Sequence, residues 1–450
     1  MQGGYGKVYI NENEENMVKE MQMIDNDIDG DGNEELYIVD SNIKEACFLS
    51  QFKSNAITSI DKIEYEEERR RANARPEEER ILKTSLDAPA GFSSRILKFY
   101  MDNHGISLNK IHIDILKPNM INIIYQLLSI LDKLHYYGFV HGDLKPANIT
   151  FDINTKKVTL IDWGGVILQP RYTKKNIYGT YIYSAPEAHY LEKKYIGPVN
   201  DLWSLGLSIL CLYNGKDFTE SNMCDWIKKG DTNLDLSKVD DLYVKALLRL
   251  MLTINYKKRT LASVLLQSPV FKPYKKYDVT FIDEYQNDFT LPRPRPRGRQ
   301  SSQKKREESI NNLYDWCEQL EKFHCLIMAT RIYDLVSKTS KMTSKKSTLI
   351  PLCCLNIADI LLSECANYTS EYIEIYGEKY SEKNSEEEVT VTDILDCIMD
   401  ILKYLNFQVY TISFDVYIKN IDYKIVKQLL SDYPHKNNYE YTELYNEKKK

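Results

Sequence analysis

A polar loop at residues 141–148, HGDLKPAN, constrains this chain more than any other segment, and an apolar strand and turn, VTLIDWGG at 158–165, follows it closely. The loop places the carboxylate of Asp143, the ammonium group of Lys145 and the amide of Asn148 within six residues, and the turn adds Asp162. Each residue alone is more often a solvated charge or a turn former, so the inference depends on their order and spacing together.

Phosphoryl transfer needs a carboxylate to position the attacking hydroxyl, a cation near the γ-phosphate, and oxygen ligands for magnesium. The two segments supply all three. Together with SAPE at 184–187, they resemble the catalytic loop, the magnesium loop and the end of the activation segment of the eukaryotic protein kinase family. The resemblance covers roughly residues 1–271. It implies an α+β, bilobal fold, with an N-lobe at about 1–100 and a C-lobe at about 105–271.

The resemblance implies a role for each of these polar residues. Asp143 would be the catalytic base and Lys145 the contact to the γ-phosphate, while Asn148 and Asp162 would bind magnesium. ATP and Mg²⁺ are therefore the expected cofactors, and proteins are the expected substrates. Lys145 and Thr180, in GTYIYSAPE, resemble the serine/threonine branch of the family.

Nucleotide binding is expected in the N-lobe. By the same resemblance, Lys19 in MVKEM would hold the α- and β-phosphates and would pair with Glu45 on a predicted helix at 42–52. Glycines allow a close approach of the backbone to phosphates. The other residues expected at the nucleotide are Gly3, Gly4, Gly6, Val8 and Met101.

The family also implies two structural contacts in the C-lobe. Asp201 in NDLWSLG would brace the backbone of the catalytic loop from a buried helix. Glu187 of SAPE would form a buried ion pair with Arg259 of KKRTL.

The glycine loop departs from the family pattern G-x-G-x-x-G-x-V, because Met1 stands where the first glycine is expected. We therefore expect an N-lobe that lacks its first strand, and upstream codons that encode this strand. A broken N-lobe also fits another class of protein, a pseudokinase scaffold that recruits partners through its helical domain. A nucleotide-binding thermal shift with and without magnesium separates the two hypotheses.

Two further departures lie near the catalytic loop. Gly142 replaces the arginine that receives an activation-loop phosphate in many kinases, which predicts that activity does not require phosphorylation of Thr173. Trp163 replaces the usual phenylalanine after Asp162, and we treat this as a conservative change because both are large and apolar.

Two charged segments favour structural roles. DNDIDGDGNEEL at 25–36 begins like a calcium loop, but Leu36 stands where a bidentate glutamate is needed, so we predict an acidic surface loop. YEEERRRANARPEEER at 65–80 mixes both signs of charge at helical spacing, which predicts a solvated helical insertion.

Composition excludes several classes of function. The net charge of −6 gives no bulk affinity for nucleic acid or membranes, apart from weak nucleic-acid binding through the basic segment at 292–306. No apolar run is long enough to span a bilayer. The nine cysteines form no CxxC pair, so we expect reduced core thiols without a metal. These features predict an intracellular protein, cytoplasmic or nuclear, in a host cell or a virion if viral.

A second domain is expected after a basic, proline- and arginine-rich linker at 272–308. Three amphipathic to apolar segments then resemble helices of a cyclin box over roughly 309–420, and an unrelated helical bundle is the alternative. Residues 421–450 predict a helical, charged tail. A kinase joined to a cyclin-like domain resembles proteins of large DNA viruses.

We predict that this all-α domain is an intramolecular partner of the helix at 42–52. Cyclins contact the equivalent helix of their kinases through a lysine and a glutamate, but the aligned residues here are Ile360 and Ile398. The prediction is therefore an apolar contact that controls the pairing of Lys19 with Glu45.

Overall fold

A computed structural model gives the arrangement of the chain. It describes residues 2–3, 6–10, 17–28, 34–68, 94–168, 171–173, 180–189, 194–215, 235–277, 279–282, 300–337, 348–363, 369–380, 389–410, 421–432 and 438–449.

The first lobe contains a five-stranded antiparallel sheet. Its strands, in spatial order, are β1 (Gln2–Gly3), β2 (Gly6–Ile10), β3 (Met17–Gln22), β8 (Ser94–Met101) and β7 (Ile60–Glu68). In β8, the buried side chains of Leu97, Phe99 and Met101 alternate with the less buried Lys98 and Tyr100, as expected of a strand covered on one face. The short β1, of two residues, pairs with β2, and the expectation of an N-lobe without a full first strand stays a prediction.

A hairpin and a helix follow β3. Strands β4 (Ile24–Ile28) and β5 (Glu34–Ile38) pair antiparallel, so these parts of the predicted acidic loop at 25–36 are strand instead. Helix α1 (Asp40–Gln51) comes next and is followed by the short strand β6 (Lys53–Ser54). Nine residues of α1 are buried, including Lys44, Glu45 and Gln51, so the helix is covered on more than the one face that a surface helix buries.

The predicted helical insertion at 65–80 is wrong for its first four residues, which belong to β7, and the remainder lies outside the described residues. Cross-strand pairs explain the difference. Lys98 of β8 lies 2.7 Å from Glu66, and the hydroxyl of Tyr100 donates to Glu64 at 2.7 Å. Glu64 and Glu66, which alternate along β7, are thus paired across the sheet.

The second lobe is mainly helical. Its helices are α2 (Ile113–Leu116), α3 (Met120–Tyr136), α4 (Pro186–His189), α5 (Pro198–Asn214), α6 (Leu242–Met251) and α7 (Ala262–Leu265). Its short strands are β9 (Ile106–Ser107), β10 (Phe139–Val140), β11 (Ile149–Phe151), β12 (Val158–Leu160), β13 (Ile167–Leu168), β14 (Arg171–Thr173) and β15 (Lys194–Ile196). The pairs β10–β13 and β11–β12 flank the loop at 141–148 and therefore fix both of its ends.

The remaining helices form a bundle, the helical half. They are α8 (Gln300–Gln319), α9 (Leu326–Val336), α10 (Ile350–Leu362), α11 (Thr369–Tyr380), α12 (Val391–Tyr404), α13 (Tyr423–Asp432) and α14 (Asn438–Lys449). All 13 residues of α10 are buried, and α8, α9, α11 and α12 pack around it. A helix that is apolar on nearly every side belongs at the centre of a bundle. The cyclin resemblance itself stays a prediction.

The predicted linker at 272–308 contains regular structure at both ends. Strand β16 (Phe281–Ile282) pairs with β6 directly after α1, and α8 already begins at Gln300, so residues 300–308 are helix. Arg306 explains the early start of α8, because its guanidinium donates two hydrogen bonds to Asp334 of α9, at 2.6 and 2.8 Å. The residues between, 283–299, lie outside the described residues.

Within the described parts of the chain, no helix is both long and apolar enough to cross a membrane. The seven cysteines in these parts are all buried, and none of them forms a disulfide.

Candidate active site

The loop at 141–148 is held at its start by Asp201 of helix α5. The backbone N–H groups of His141 and Gly142 donate to the Asp201 carboxylate at 2.9 and 3.1 Å, and Nε2 of His135 lies 2.9 Å from the same group. Asp201 is buried, so these contacts compensate for the loss of water around its charge. The carboxylate therefore fixes the loop backbone, in the place predicted for it.

Gly142 occupies a backbone conformation that excludes a side chain. Its φ is +80°, and a Cβ at this position would collide with the carbonyl oxygen of Gly165. Left-handed backbone is readily adopted only by glycine, and the collision makes substitution worse. An arginine at this position would require a different loop conformation.

Asp143 lies at the centre of a hydrogen-bond network. Its Oδ1 accepts from the N–H and the Oγ1 of Thr180, both at 2.9 Å, and its Oδ2 accepts from Nζ of Lys145 at 2.7 Å. Burial raises the pKa of the Asp143 carboxyl, but the bonds and charge of Lys145 and the bonds from Thr180 outweigh it, so the pKa is lowered. Asp143 is therefore a carboxylate at neutral pH.

Lys19 of β3 connects the sheet, helix α1 and the turn at 162. Its Nζ lies 2.6 Å from Oε2 of Glu45 and 3.5 Å from Oδ1 of Asp162. Burial lowers the pKa of Lys19, but the two carboxylates outweigh this effect and the net result is a raised pKa. Lys19 stays cationic, and its position depends on where α1 places Glu45.

Asp162 and Asn148 offer the oxygen atoms that a magnesium ion would need. Asp162 has a φ of +66° and a side chain that is 45 % exposed. The hydrogen bonds described for the Asn148 side chain run from its Nδ2 to Asp143, so within the described residues its Oδ1 is available as a ligand. Carboxylate and amide oxygens are hard ligands that suit Mg²⁺. The donor set thus fits the predicted ion.

The other residues predicted at the nucleotide lie in the first sheet. Gly3 of β1 is paired with Gly6 of β2, and Val8 of β2 is paired with Lys19 of β3. Met101 is the buried last residue of β8. Gly4 lies outside the described residues. The strand register therefore brings Val8 beside Lys19, while nucleotide contacts of the glycines and Met101 stay predictions.

A buried ion pair joins α4 to the segment between α6 and α7. Two nitrogens of Arg259 donate to the two carboxylate oxygens of Glu187 at 2.6 and 3.1 Å, and the guanidinium lies 4.9 Å from the ring centre of Trp203. The bidentate geometry restricts both side chains. The structure thus brings together the two residues that the sequence paired.

Sequence reasoning missed the polar contacts between helix α1 and the helical half. Nζ of Lys44 donates to the carbonyl oxygen of Ser363 at 2.8 Å. Nε2 of Gln51 donates to the carbonyl of Tyr410 at 2.8 Å, and its Oε1 accepts from the N–H of Tyr410 at 2.9 Å. Lys44 and Gln51 are seven residues apart and so lie on one helix face. A buried pair of polar residues with this spacing is the signal that could have indicated a polar interface.

A second contact joins the first sheet to α12. Nε and Nη2 of Arg95 donate to the two carboxylate oxygens of Asp396 at 3.0 and 3.1 Å, and the hydroxyl of Tyr65 donates to the same group at 3.2 Å. The ammonium of Lys403 lies 4.5 Å from the centre of the Tyr65 ring. This contact links the helical half to the two strands, β7 and β8, on which these residues lie.

The helical half packs against α1, and the described hydrogen bonds between them are a polar contribution that the prediction of an apolar contact did not include. Lys44 and Gln51 bind backbone atoms, so these bonds do not depend on charged side chains at positions 360 and 398. Ile360 and Ile398 are both buried. An apolar contact of these two residues with α1 stays a prediction.

A buried polar network that includes Ser363 is centred on Asp359, which is fully buried. Nζ of Lys322 lies 2.6 Å from its Oδ1, and the hydroxyl of Tyr372 donates to its Oδ2 at 2.8 Å. Ser363 donates to the same carboxylate. His324 and Cys325 lie close enough to suggest a metal site with Asp359. The Lys322 ammonium already neutralises this carboxylate, so the network is an ion-paired support for the end of α10.

Comparison with known proteins agrees with this geometry. The protein kinase domain profile matches residues 2–271. The chain is 32 % identical over 160 residues to serine/threonine-protein kinase 1 of African swine fever virus, which covers 34 % of this chain and 50 % of the relative. It is 41 % identical over 92 residues to sperm motility kinase 2B of Mus musculus, 20 % of this chain and 19 % of that protein. The chain spans about half the length of the viral relatives it matches.

Proposed function

This chain belongs to the protein kinase family, and we propose that it transfers the γ-phosphoryl group of ATP to serine or threonine hydroxyls of proteins. The observation that carries this proposal is the contact of Lys19 with both Glu45 and Asp162, at 2.6 and 3.5 Å. A scaffold without catalytic function has no need to keep a lysine between these two carboxylates.

Asp143 is the group that would receive the substrate. Its carboxylate is ionised and partly exposed beside Lys145, so it can accept a hydrogen bond from an incoming hydroxyl and orient its oxygen for attack. Lys145 also donates to Oγ1 of Thr180 at 2.8 Å, which fixes the ammonium beside Asp143. The cation is then in position to stabilise negative charge on the transferred phosphoryl group.

Lys19 would bind the α- and β-phosphates, since its charge is retained and Glu45 orients it. Asn148 and Asp162 would hold Mg²⁺, which supplies charge neutralisation at the phosphates when it is bound. The left-handed turn at Asp162 is anchored by the next residue, because the ring of Trp163 stacks on Phe48 of α1 at 4.4 Å.

The first experiment measures phosphorylation of a generic basic protein with radiolabelled ATP and Mg²⁺. Asp143→Asn and Asp162→Asn should each lower kcat/KM by about three orders of magnitude or more, since no neighbour replaces base positioning or metal binding. Asp114→Asn is the matched control, because its side chain is 73 % exposed on the short helix α2, and it should leave the rate unchanged. Full activity of Asp162→Asn would show that the metal assignment is wrong.

We further propose that the helical half, a cyclin-like domain by resemblance, activates the kinase in cis. Lys44 lies next to Glu45, so the bond from Lys44 to Ser363 restrains the turn of α1 that sets the Lys19–Glu45 distance. Gln51 restrains the last turn of the same helix. Positioning of this helix is a known form of control in kinases. The two contacts support a helical half that acts on the active site through α1.

A further inference from the structure

Tyr410 follows a turn that is unusually constrained. Helix α12 is followed by Asn406 and Phe407, which both have left-handed backbone, with φ of +50° and +59°. A bulky residue such as phenylalanine rarely adopts this conformation. The turn is closed by the N–H of Phe407, which donates to the carbonyl of Leu402 at 2.7 Å. Backbone strain of this kind persists where the surrounding structure holds it, and is often found at functional positions.

The backbone of Tyr410 is fixed by Gln51, which binds its N–H and its carbonyl. This leaves the ring as a separate feature. The ring is fully buried and packs edge-on against Phe139 of β10, with centroids 5.2 Å apart. The hydrogen bonds to Gln51 use backbone atoms only, so the role of the ring can be tested without removing them.

Phe139 belongs to a continuous aromatic cluster that leads to the turn at Asp162. Phe139 contacts Phe52 at 4.7 Å and Phe48 at 5.4 Å, and Phe48 stacks on Trp163 at 4.4 Å. Trp163 in turn lies 4.6 Å from the ring of His141 in the catalytic loop. All of these rings are nearly or fully buried. Close packing of this kind transmits a displacement, because a void costs contacts on every side.

We propose that the ring of Tyr410 is a positioning element for the magnesium turn, acting through Phe139 and the aromatic cluster on Trp163 and hence on Asp162. The inference rests on the proposed kinase function. It assigns a residue of the helical half a direct effect on the second lobe, in addition to the contacts made by α1. Without the ring, Phe139 loses one of its aromatic partners and the cluster can relax toward the gap.

The test compares three variants of the full chain, Tyr410→Ala, Tyr410→Phe and Tyr445→Ala. Tyr445 is an equally buried tyrosine of helix α14, so its truncation controls for general loss of stability in the helical half. Two Mg²⁺ concentrations are measured below the melting temperature of every variant. The first is the concentration that half-saturates activity. The second is the concentration that half-saturates the binding of a non-hydrolysable ATP analogue, followed by calorimetry.

Tyr410→Ala should raise both Mg²⁺ concentrations by about tenfold or more. Tyr410→Phe keeps the ring and should stay within about twofold of the wild type, and Tyr445→Ala should resemble the wild type in both measurements. If Tyr410→Ala behaves like Tyr445→Ala while the wild type binds the nucleotide with Mg²⁺, this inference alone is overturned. If the wild type itself shows no Mg²⁺-dependent nucleotide binding, the proposed function fails and the inference fails with it.

Discussion

The catalytic loop and the interface between α1 and the helical half differ in how far apart their partners lie along the chain. Asp143, Lys145 and Asn148 fall within six residues. Lys44 and its acceptor Ser363 are 319 residues apart, and Gln51 and Tyr410 are 359 residues apart. Short spacing produces a recognisable motif, whereas residues brought together from distant positions leave none. The candidate catalytic residues of this protein can therefore be recognised in its sequence, whereas the contacts proposed to control them cannot.

The two regions also differ in the atoms they use. The loop depends on the side chains of Asp143, Lys145 and Asn148, whose identity is visible in the sequence. At the interface, Lys44 and Gln51 bind the backbone of Ser363 and Tyr410, atoms that nearly any residue could supply. Only the side-chain partner of such a contact can be seen in a sequence.

The largest effect on stability is expected from a charge placed inside the helical half. Ile398→Glu buries an unpaired carboxylate at a fully buried position of α12, and should lower the free energy of unfolding by about 3–5 kcal/mol in urea titrations. Tyr404→Glu adds the same charge to the same helix at a position that is 46 % exposed, and should have little effect. Kinase activity should fall with the first variant. Equal stability of the two variants would contradict the packing of α12.

A smaller effect is expected from removing the polar contacts of α1. Lys44→Met and Gln51→Leu each leave backbone groups without their bonds, which should lower the free energy of unfolding by about 1–3 kcal/mol. Each variant should also lower kcat about tenfold, because α1 then holds Glu45 less firmly. Ser50→Ala is the control, since the hydrogen bond described for the Ser50 hydroxyl stays within the helix, to the carbonyl of Ala46 at 2.7 Å. Unchanged kcat in both variants would show that the helical half recruits partners and does not control α1.

The smallest effect concerns phosphorylation of the activation segment. Thr173→Ala should change the rate by less than about tenfold, or 1.4 kcal/mol. The reason is that Gly142 has no side chain to bind a phosphate, and its backbone conformation leaves no room for a side chain. Thr180→Ala gives the contrast, since it removes hydroxyl bonds to Asp143 and Lys145 and should cost more. A collapse of activity in Thr173→Ala would mean that another cation reads the phosphate.

Short motifs, each read by itself, decided which parts of the candidate site were predicted. Lys19, Glu45 and Asp162 were assigned from motifs on separate elements, and the structure brings the Lys19 ammonium within 3.5 Å of both carboxylates. Asp201 beside the loop and the Glu187–Arg259 pair are likewise placed as the sequence indicated. The contact at Arg95 was not anticipated, because its partner Asp396 lies 301 residues away.

The sequence by itself determined the family of the first 271 residues and the presence of apolar helices beyond them, since both depend on patterns within a few dozen residues. Only the tertiary structure decided the rest. Residues 65–68 became a strand because β8 pairs with them and supplies Lys98 as the partner of Glu66. Helix α8 starts at Gln300, and its Arg306 is bound by Asp334 of α9. The helical half reaches α1 through backbone atoms of Ser363 and Tyr410. In each case the partner lies on another element, so its contribution to the free energy does not enter the local propensity.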